Sequence, residues 1–354
     1  MKIGIVTIID NRNLGNRLQN FATQSFLREK FNTDVVTIKN SNRLGRNENV
    51  KNRIVGFLRD VKYFPRTRNF CRFNRNIKMT RKTFDCAHNN SSLDKYFNYF
   101  VVGSDQVWNP NFGWLNSMDL LQFAKPSKRV AFSASFGISD IPKSYNSIVG
   151  RELLKFNAIS VREDAGREIV EHLTDRNDVE VLIDPTMLIE KDEWNRLAKK
   201  PKQIKDNRPI VLKYFLGRLS DEKKKAIEEF AKKHGCQIVD IYDKSSKFYS
   251  CGPSEFLWLE ENAYLVCTDS FHASVFAILY KRPFVVFERD SKHEKMNSRL
   301  DTLIAKFNLK NRVFNGDRIT DENFNVCYDG IEDVLDRERK KALAFLNNAF
   351  GRKD

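Results

Sequence analysis

The chain has 354 residues, of which 41% are hydrophobic and 12% aromatic, and it carries a formal net charge of +15. This length is long for one core and fits two domains of ordinary size, and the apolar content excludes a disordered polyelectrolyte. No stretch approaches the roughly 18 uninterrupted apolar residues of a membrane span, and Met1-Lys2 leads straight into a strand pattern rather than a signal peptide, so a cytoplasmic protein is expected. The six cysteines (Cys71, Cys86, Cys236, Cys251, Cys267, Cys327) include no CxxC pair, so reduced thiols are expected, with neither a disulfide frame nor a metal site.

In chain order, Lys2 to Ile9 reads as a buried strand, and Leu18, Phe21, Ala22, Ser25 and Phe26 recur at the spacing of one buried helical face. Between them, Asn13-Leu14-Gly15-Asn16 is a polar loop opening a helix, where backbone N–H groups can meet an anion. An ordinary strand-to-helix loop is an equal reading. A second strand, Asp34 to Ile38, leads into a basic excursion. Between Arg43 and Lys82 lie thirteen Lys or Arg residues against Glu48 and Asp60, with Val50, Ile54, Val55, Phe57, Leu58 and Val61 along one apolar helical face and Tyr63, Phe64, Phe70 and Phe73 interleaved. Three readings stand open for it: an amphipathic surface for an anionic membrane, a nucleic-acid surface, and a solvated excursion whose aromatics pack onto the domain. Nucleic acid is the least supported, because no nucleic-acid motif accompanies the charge.

Strand Tyr99 to Val102 ends in Gly103-Ser104-Asp105-Gln106, where Asp105 is either a general base or a helix cap. Trp108 and Trp114 follow, and an aromatic face beside a carboxylate suits a sugar-binding wall or, equally, a core. Strand Arg129 to Ser133 opens onto Ser133-Ala134-Ser135-Phe136-Gly137, a small-residue run that lets a ligand approach the backbone. A helix is expected over 151–157. Strand Ala158 to Val161 then ends in Arg162-Glu163-Asp164, where the guanidinium either holds a carboxylate or phosphate or pairs with its acidic neighbours.

Strand Glu180 to Ile183 closes on Asp184-Pro185, and residues 191–208 read as a polar linker. A second series follows: strand Ile210 to Tyr214, helix Glu222 to Lys233, strand Gln237 to Ile241 and a short helix over 254–262. Tyr264-Leu265-Val266-Cys267 is the last clear buried strand, and the turn Thr268-Asp269-Ser270 carries Phe271-His272 into a small-residue helix that ends before Pro283. His272, at a strand-to-helix turn beside Asp269 and Ser270, is either a catalytic imidazole or a satisfied core histidine. Helices over 299–307 and 331–347 complete the chain. Two βα series joined by a linker describe an α/β protein with two Rossmann-like domains facing a cleft, GT-B-like. Residues 1–190 are expected to form the N-terminal domain with the excursion 43–82, and 209–354 the C-terminal domain, whose last helix can pack back on the first.

The segments GSDQVWN (103–109) and SFHA (270–273), with NLGN (13–16), SASFG (133–137), SVRE (160–163) and DPT (184–186) in the same order, resemble the polysaccharide pyruvyl transferase family over most of the chain, from Ile3 to about Leu309. The resemblance implies a GT-B fold and transfer of a pyruvyl group from phosphoenolpyruvate to two hydroxyls of one sugar, in a bacterial-type polysaccharide or its lipid-linked precursor. Such chemistry makes a cyclic ketal, releases phosphate and needs no cofactor. On it, His272 is the expected general acid or phosphate stabiliser, Arg162 the donor clamp and Asp105 the base. Asn16, Ser104, Trp108, Ser135 and Ser270 are expected substrate contacts. Ser270 stands where some members carry Arg, which leaves Lys281 or Arg282 as substitutes for the missing cation unless both are exposed turn residues. A location on the inner face of the membrane through 43–82 follows from the membrane reading. A GT-B glycosyltransferase using a nucleotide sugar, or a non-catalytic glycan- or membrane-binding protein, are the alternatives.

Overall fold

The computed structural model describes residues 1–10, 12–40, 55, 58–85, 90–112, 115–289 and 298–351. The remainder of the excursion (41–54, 56 and 57) and Trp114 lie outside them. The first unit is a seven-stranded sheet in the order β3-β2-β1-β4-β5-β6-β7. Its strands are β1 (Lys2–Val6), β2 (Asp34–Asn40), β3 (Met79–Phe84), β4 (Tyr99–Val102), β5 (Arg129–Ala134), β6 (Ala158–Val161) and β7 (Glu180–Val181). All neighbouring strands pair in parallel. Helices cover both faces of such a sheet, which is why its strands appear in sequence as unbroken apolar runs.

The order reverses between β1 and β4, and open parallel sheets hold their ligands at the carboxyl ends of such a pair. The first helix, α1 (Leu14–Phe31), starts on this edge with Asn13 as its cap, the side chain accepting from Asn16 N at 3.3 Å. Helix α2 (Phe64–Phe73) and strand β3 are built from the basic excursion: Phe70 and Phe73 are buried and Tyr63 packs edge-on to Tyr249 at 4.9 Å. That part of the excursion is a packed element of the fold, and β3 forms the sheet's edge.

The second unit is a four-stranded parallel sheet in the order β11-β10-β8-β9, from β8 (Ile210–Tyr214), β9 (Gln237–Asp240), β10 (Ala263–Thr268) and β11 (Phe284–Val286). Its order reverses between β8 and β10. Helices α3 (Ser91–Tyr96), α4 (Lys143–Leu153) and α5 (Asp164–Thr174) belong to the first unit. Helices α7 (Asp221–Lys233), α8 (Pro253–Asn262), α9 (Phe271–Leu279), α10 (Ser298–Lys306) and α11 (Asp321–Phe324) belong to the second. Helix α4 begins eight residues before the expected start at 151, because the polar residues of its first turns lie on a solvent face that shows no apolar run.

Within 191–208 lies a further helix, α6 (Lys191–Leu197), whose Trp194 is fully buried between Phe21 and Phe276, with ring centroids at 5.5 and 5.1 Å. A single aromatic on an otherwise charged segment thus ties the two units together. The last helix, α12 (Ile331–Ala349), lies against the first sheet: Phe345 stacks on Phe132, Arg339 donates to Met187 O, and Lys341 donates to Val181 O. Among the described residues no helix is long and apolar enough to cross a membrane.

Candidate active site

The two reversal points face each other, and the strand ends of both sheets deliver polar side chains into one cluster. After β6, Arg162 donates from one terminal nitrogen to Asp184 Oδ2 at 2.7 Å and stands 3.6 Å from Asp105 Oδ1 with the other. From the second unit, His272 in the first turn of α9 brings its Nε2 to 3.8 Å from the same Asp184 oxygen. Of the alternatives for Arg162, an ion pair with Glu163 or Asp164 is not seen. Its carboxylates come from the ends of β4 and β7, and so it ties three strand ends together.

Asp184 organises the cluster. Ser104 Oγ donates to Oδ2 at 2.7 Å, and Thr186 donates to Oδ1 from both backbone N (3.0 Å) and Oγ1 (2.7 Å). Burial works against the carboxylate, yet Arg162, His272 and the Thr186 hydrogen bonds outweigh it and hold the group at about 2. Arg162 is correspondingly held above its ordinary value: burial opposes the charge, and Asp184, Asp105 and Glu163 overcome it. His272 moves the other way. Burial lowers it most, Asp184 and Asp105 pull it back up, and Arg162 and Arg299 push it down again, so the imidazole is neutral at pH 7.

Sequence reasoning missed two arginines. Arg299, in the first turn of α10, is 8% exposed and stands over the Phe271 ring at 5.9 Å, where Arg162 also lies at 4.3 Å. With its amide oxygen turned toward this guanidinium, Gln106 accepts from both terminal nitrogens at 2.5 and 2.8 Å. Burial and then the proximity of Arg162 lower Arg299 to about 10, against the pull of Glu163 and Asp105. Arg17, fully buried on α1, donates to Ile8 O at 2.7 Å, and burial brings it to about 10 despite Asp10 and Asp105. An arginine on the apolar stripe of Leu14, Leu18 and Phe21 was a readable sign of this second cation. Arg299 follows no motif and left no such sign.

Among the described residues several buried nitrogens of this cluster make no hydrogen bond: Arg17 Nε and one terminal nitrogen, Arg162 Nε and the terminal nitrogen that faces Asp105 at 3.6 Å, Arg299 Nε, and His272 Nε2. Buried donors without acceptors are costly, and their convergence from both units is the pattern of an anion-binding site.

The other expected contacts divide. Asn16 lies beside Gly15 in the first turn of α1, and Asp105 has a left-handed backbone (φ 56°) that turns its carboxylate toward Arg162. Ser270 is the N-cap residue of α9, its backbone N–H bound to Thr268 Oγ1 at 2.9 Å. Ser104 and Ser135 are fully buried behind the cluster: Ser104 orients Asp184, and Ser135 donates to Glu163 Oε1 at 2.9 Å. Trp108 corrects the expectation of a sugar wall. It is 0% exposed, its indole N–H is spent on Asp119 O at 3.0 Å, and its ring packs on Phe136 and Phe156. Lys281 and Arg282 are also corrected as stand-ins for the cation missing at Ser270. They follow the far end of α9 from His272, and Lys281 is paired with Glu332 at 2.7 Å.

Two solved structures share this architecture. The UDP-N-acetylglucosamine 2-epimerase of Rickettsia bellii aligns over 99% of this chain and 97% of its own, with a TM-score of 0.54 at 9% identity. That of Neisseria meningitidis, solved bound to UDP-GlcNAc, aligns over 99% and 97% with a TM-score of 0.50 at 12% identity. At such identity they show the fold alone, two Rossmann-like units in the GT-B arrangement. No curated protein matches the chain. The family model for polysaccharide pyruvyl transferase matches residues 13–291, a span that includes every residue of the cluster except Asp10 and Arg299. The chain belongs to the polysaccharide pyruvyl transferase family, a family of transferases.

Proposed function

We infer that this transferase moves the pyruvyl group of phosphoenolpyruvate onto two hydroxyls of a sugar in a polysaccharide or its lipid-linked precursor. The observation that carries the reading is the set of buried nitrogens on Arg17, Arg162, Arg299 and His272 that make no hydrogen bond among the described residues, which suits a small donor bearing both a phosphate and a carboxylate. Arg162 and Arg299 take the two anionic groups. Arg299 supplies the cation that Ser270 does not.

Phosphoenolpyruvate is inert to hydroxyls until its methylene carbon takes a proton, which leaves its central carbon oxocarbenium-like. His272 Nε2 delivers that proton. Without a donor the imidazole is neutral, but the donor's negative charge offsets the push of Arg162 and Arg299, so proton uptake accompanies binding. Asp105 receives the proton of the first sugar hydroxyl as its oxygen adds to the central carbon. The bridging C–O bond then breaks, phosphate departs with its electron pair, and the second hydroxyl adds to close the ketal as its proton passes to the departing phosphate. Closure of the two units around the donor would keep water from competing with the sugar.

The test is phosphate release from phosphoenolpyruvate with galactose, mannose and glucosamine acceptors, repeated with His272→Ala and Arg162→Ala. Loss of release in both variants supports the assignment. Wild-type rates in both, or binding of uridine diphosphate in place of phosphoenolpyruvate, reject it.

A further inference from the structure

Residues 58–73 form a nearly continuous helix, with Tyr63 N bonded to Arg59 O at 2.9 Å and Thr67 N to Tyr63 O at 3.1 Å. Leu58, Val61 and Phe64 are 59, 56 and 59% exposed, three residues apart on one side. Further along, Arg68 and Arg72 line a small cleft whose other wall carries Lys199, Lys200 and Lys202. Among the described residues Arg68, Arg72, Lys199 and Lys202 make no side-chain hydrogen bond or ion pair, and Lys200 lies over the Trp258 ring at 5.6 Å. The one carboxylate in the wall, Glu255, accepts from Gly252 N at 3.0 Å.

Five cations around one small space repel each other, and a bound anion relieves that repulsion. The helix cannot swing away to relieve it, because Arg66 is locked to the carbonyls of Tyr249 and Cys251 and Phe70 and Phe73 are buried beneath. Leu58, Val61, Pro65, Arg68 and Arg72 follow one another at spacings of three and four, so exposed apolar side chains and unpaired cations lie in series along one stripe. Such an order matches an amphiphile with an anionic head. It does not match nucleic acid, since Tyr63 is already packed on Tyr249 and Phe70 and Phe73 are buried. Helix α8 runs back from the carboxyl ends of the second sheet, so the cleft at its start lies on the strand-end edge that carries His272.

We propose that the Arg68–Lys202 cleft binds the phosphate or diphosphate of a lipid-linked saccharide while Leu58, Val61 and Phe64 rest in the membrane interface. The site deepens the acceptor reading above and rests on it for turnover, but its binding is measurable without turnover. The experiment is co-sedimentation of the full chain with phosphatidylcholine vesicles doped with a polyprenyl diphosphate, beside undoped and phosphatidylglycerol vesicles, with inorganic diphosphate as competitor. The doped vesicles should bind best and inorganic diphosphate should displace the protein. Arg68→Ser with Arg72→Ser should weaken binding roughly 20-fold. Leu58→Ser with Val61→Ser should weaken binding to doped vesicles but not to inorganic diphosphate. Equal binding to phosphatidylglycerol vesicles, failure of inorganic diphosphate to compete, or no binding at all would each overturn the proposal. His272→Ala should still sediment, so loss of turnover there bears on the transfer chemistry alone.

Discussion

Gly15 and His272 come from different units and meet so closely that a Cβ on Gly15 would fall 2.1 Å from His272 Nδ1. The first turn of α1 is therefore the floor on which the imidazole rests, and only hydrogen fits between them. Gly15→Ala sets two effects against each other: alanine favours a helix by about 1 kcal/mol, while the imidazole must move by an ångström or more. A displacement of that size costs about 100-fold in rate, so kcat should fall by that order while the melting temperature changes little. An unchanged kcat would show that the ring position does not matter.

Arg162 and Arg299 both stand over Phe271, and the second is lowered by the first. A hydrogen bond to a charged group is worth about 1.5–3 kcal/mol, so Arg299→Ala should weaken phosphoenolpyruvate binding by roughly 10- to 100-fold in calorimetry. Stability should hold or rise, because one of two neighbouring buried cations is gone. Lys281→Ala, at the far end of α9 and paired with Glu332, should leave donor affinity as it was.

The sheets were legible because strands covered on both faces read as apolar runs ending in polar turns, and those turns carry Asp105, Arg162 and His272. Their convergence followed from strand-end placement alone. Asp184 was visible only as a strand end before proline, since nothing in an Asp-Pro-Thr sequence says that three other strand ends will hydrogen-bond or pair with that carboxylate. Trp108 misled because an aromatic beside an acidic turn looks alike in a wall and in a core, and only the Asp119 carbonyl distinguishes them. The charge of the excursion masked α2, whose buried face is Arg66, Phe70 and Phe73, and β3, an edge strand with no fully buried residue.

Acid should unfold the protein in two stages. Asp184 is held at about 2 against an ordinary 3.8, so its contribution is complete above about pH 4 and is lost as the pH falls toward 2, amounting to about 2 kcal/mol. His272 is depressed, so the unfolded chain takes up its proton first, and stability declines as the pH drops below 6.5 through the lower folded value. Asp184→Asn should flatten the lower stage of the melting-temperature profile and, by leaving Arg162 without its closest partner, lower stability at pH 7 by roughly 3 kcal/mol or more. A lower stage that persists in Asp184→Asn would assign it to another group. His272→Gln should remove the upper stage and also the proton uptake on donor binding, read from calorimetry in buffers of different ionisation enthalpy.

Arg66 and Arg68 sit two residues apart on one helix and should behave oppositely. Arg66 is buried, donates to the carbonyls of Tyr249 and Cys251 at 2.8 and 2.9 Å, and lies over the Tyr249 ring at 4.6 Å, so it fastens the excursion to the second unit. Arg66→Ala leaves those carbonyls buried without donors, at about 1–3 kcal/mol, and strips the cation from its ring. The melting temperature should fall by several degrees, and Arg66→Lys should recover little, because an ammonium lacks the planar fork that reaches several carbonyls at once. Arg68 is exposed and unpaired among the described residues, so Arg68→Ala should stay within about 0.5 kcal/mol of wild type and change only anion binding at the cleft. Equal destabilisation by both substitutions would mean that the helix is held by its charge as a whole rather than by one buried guanidinium.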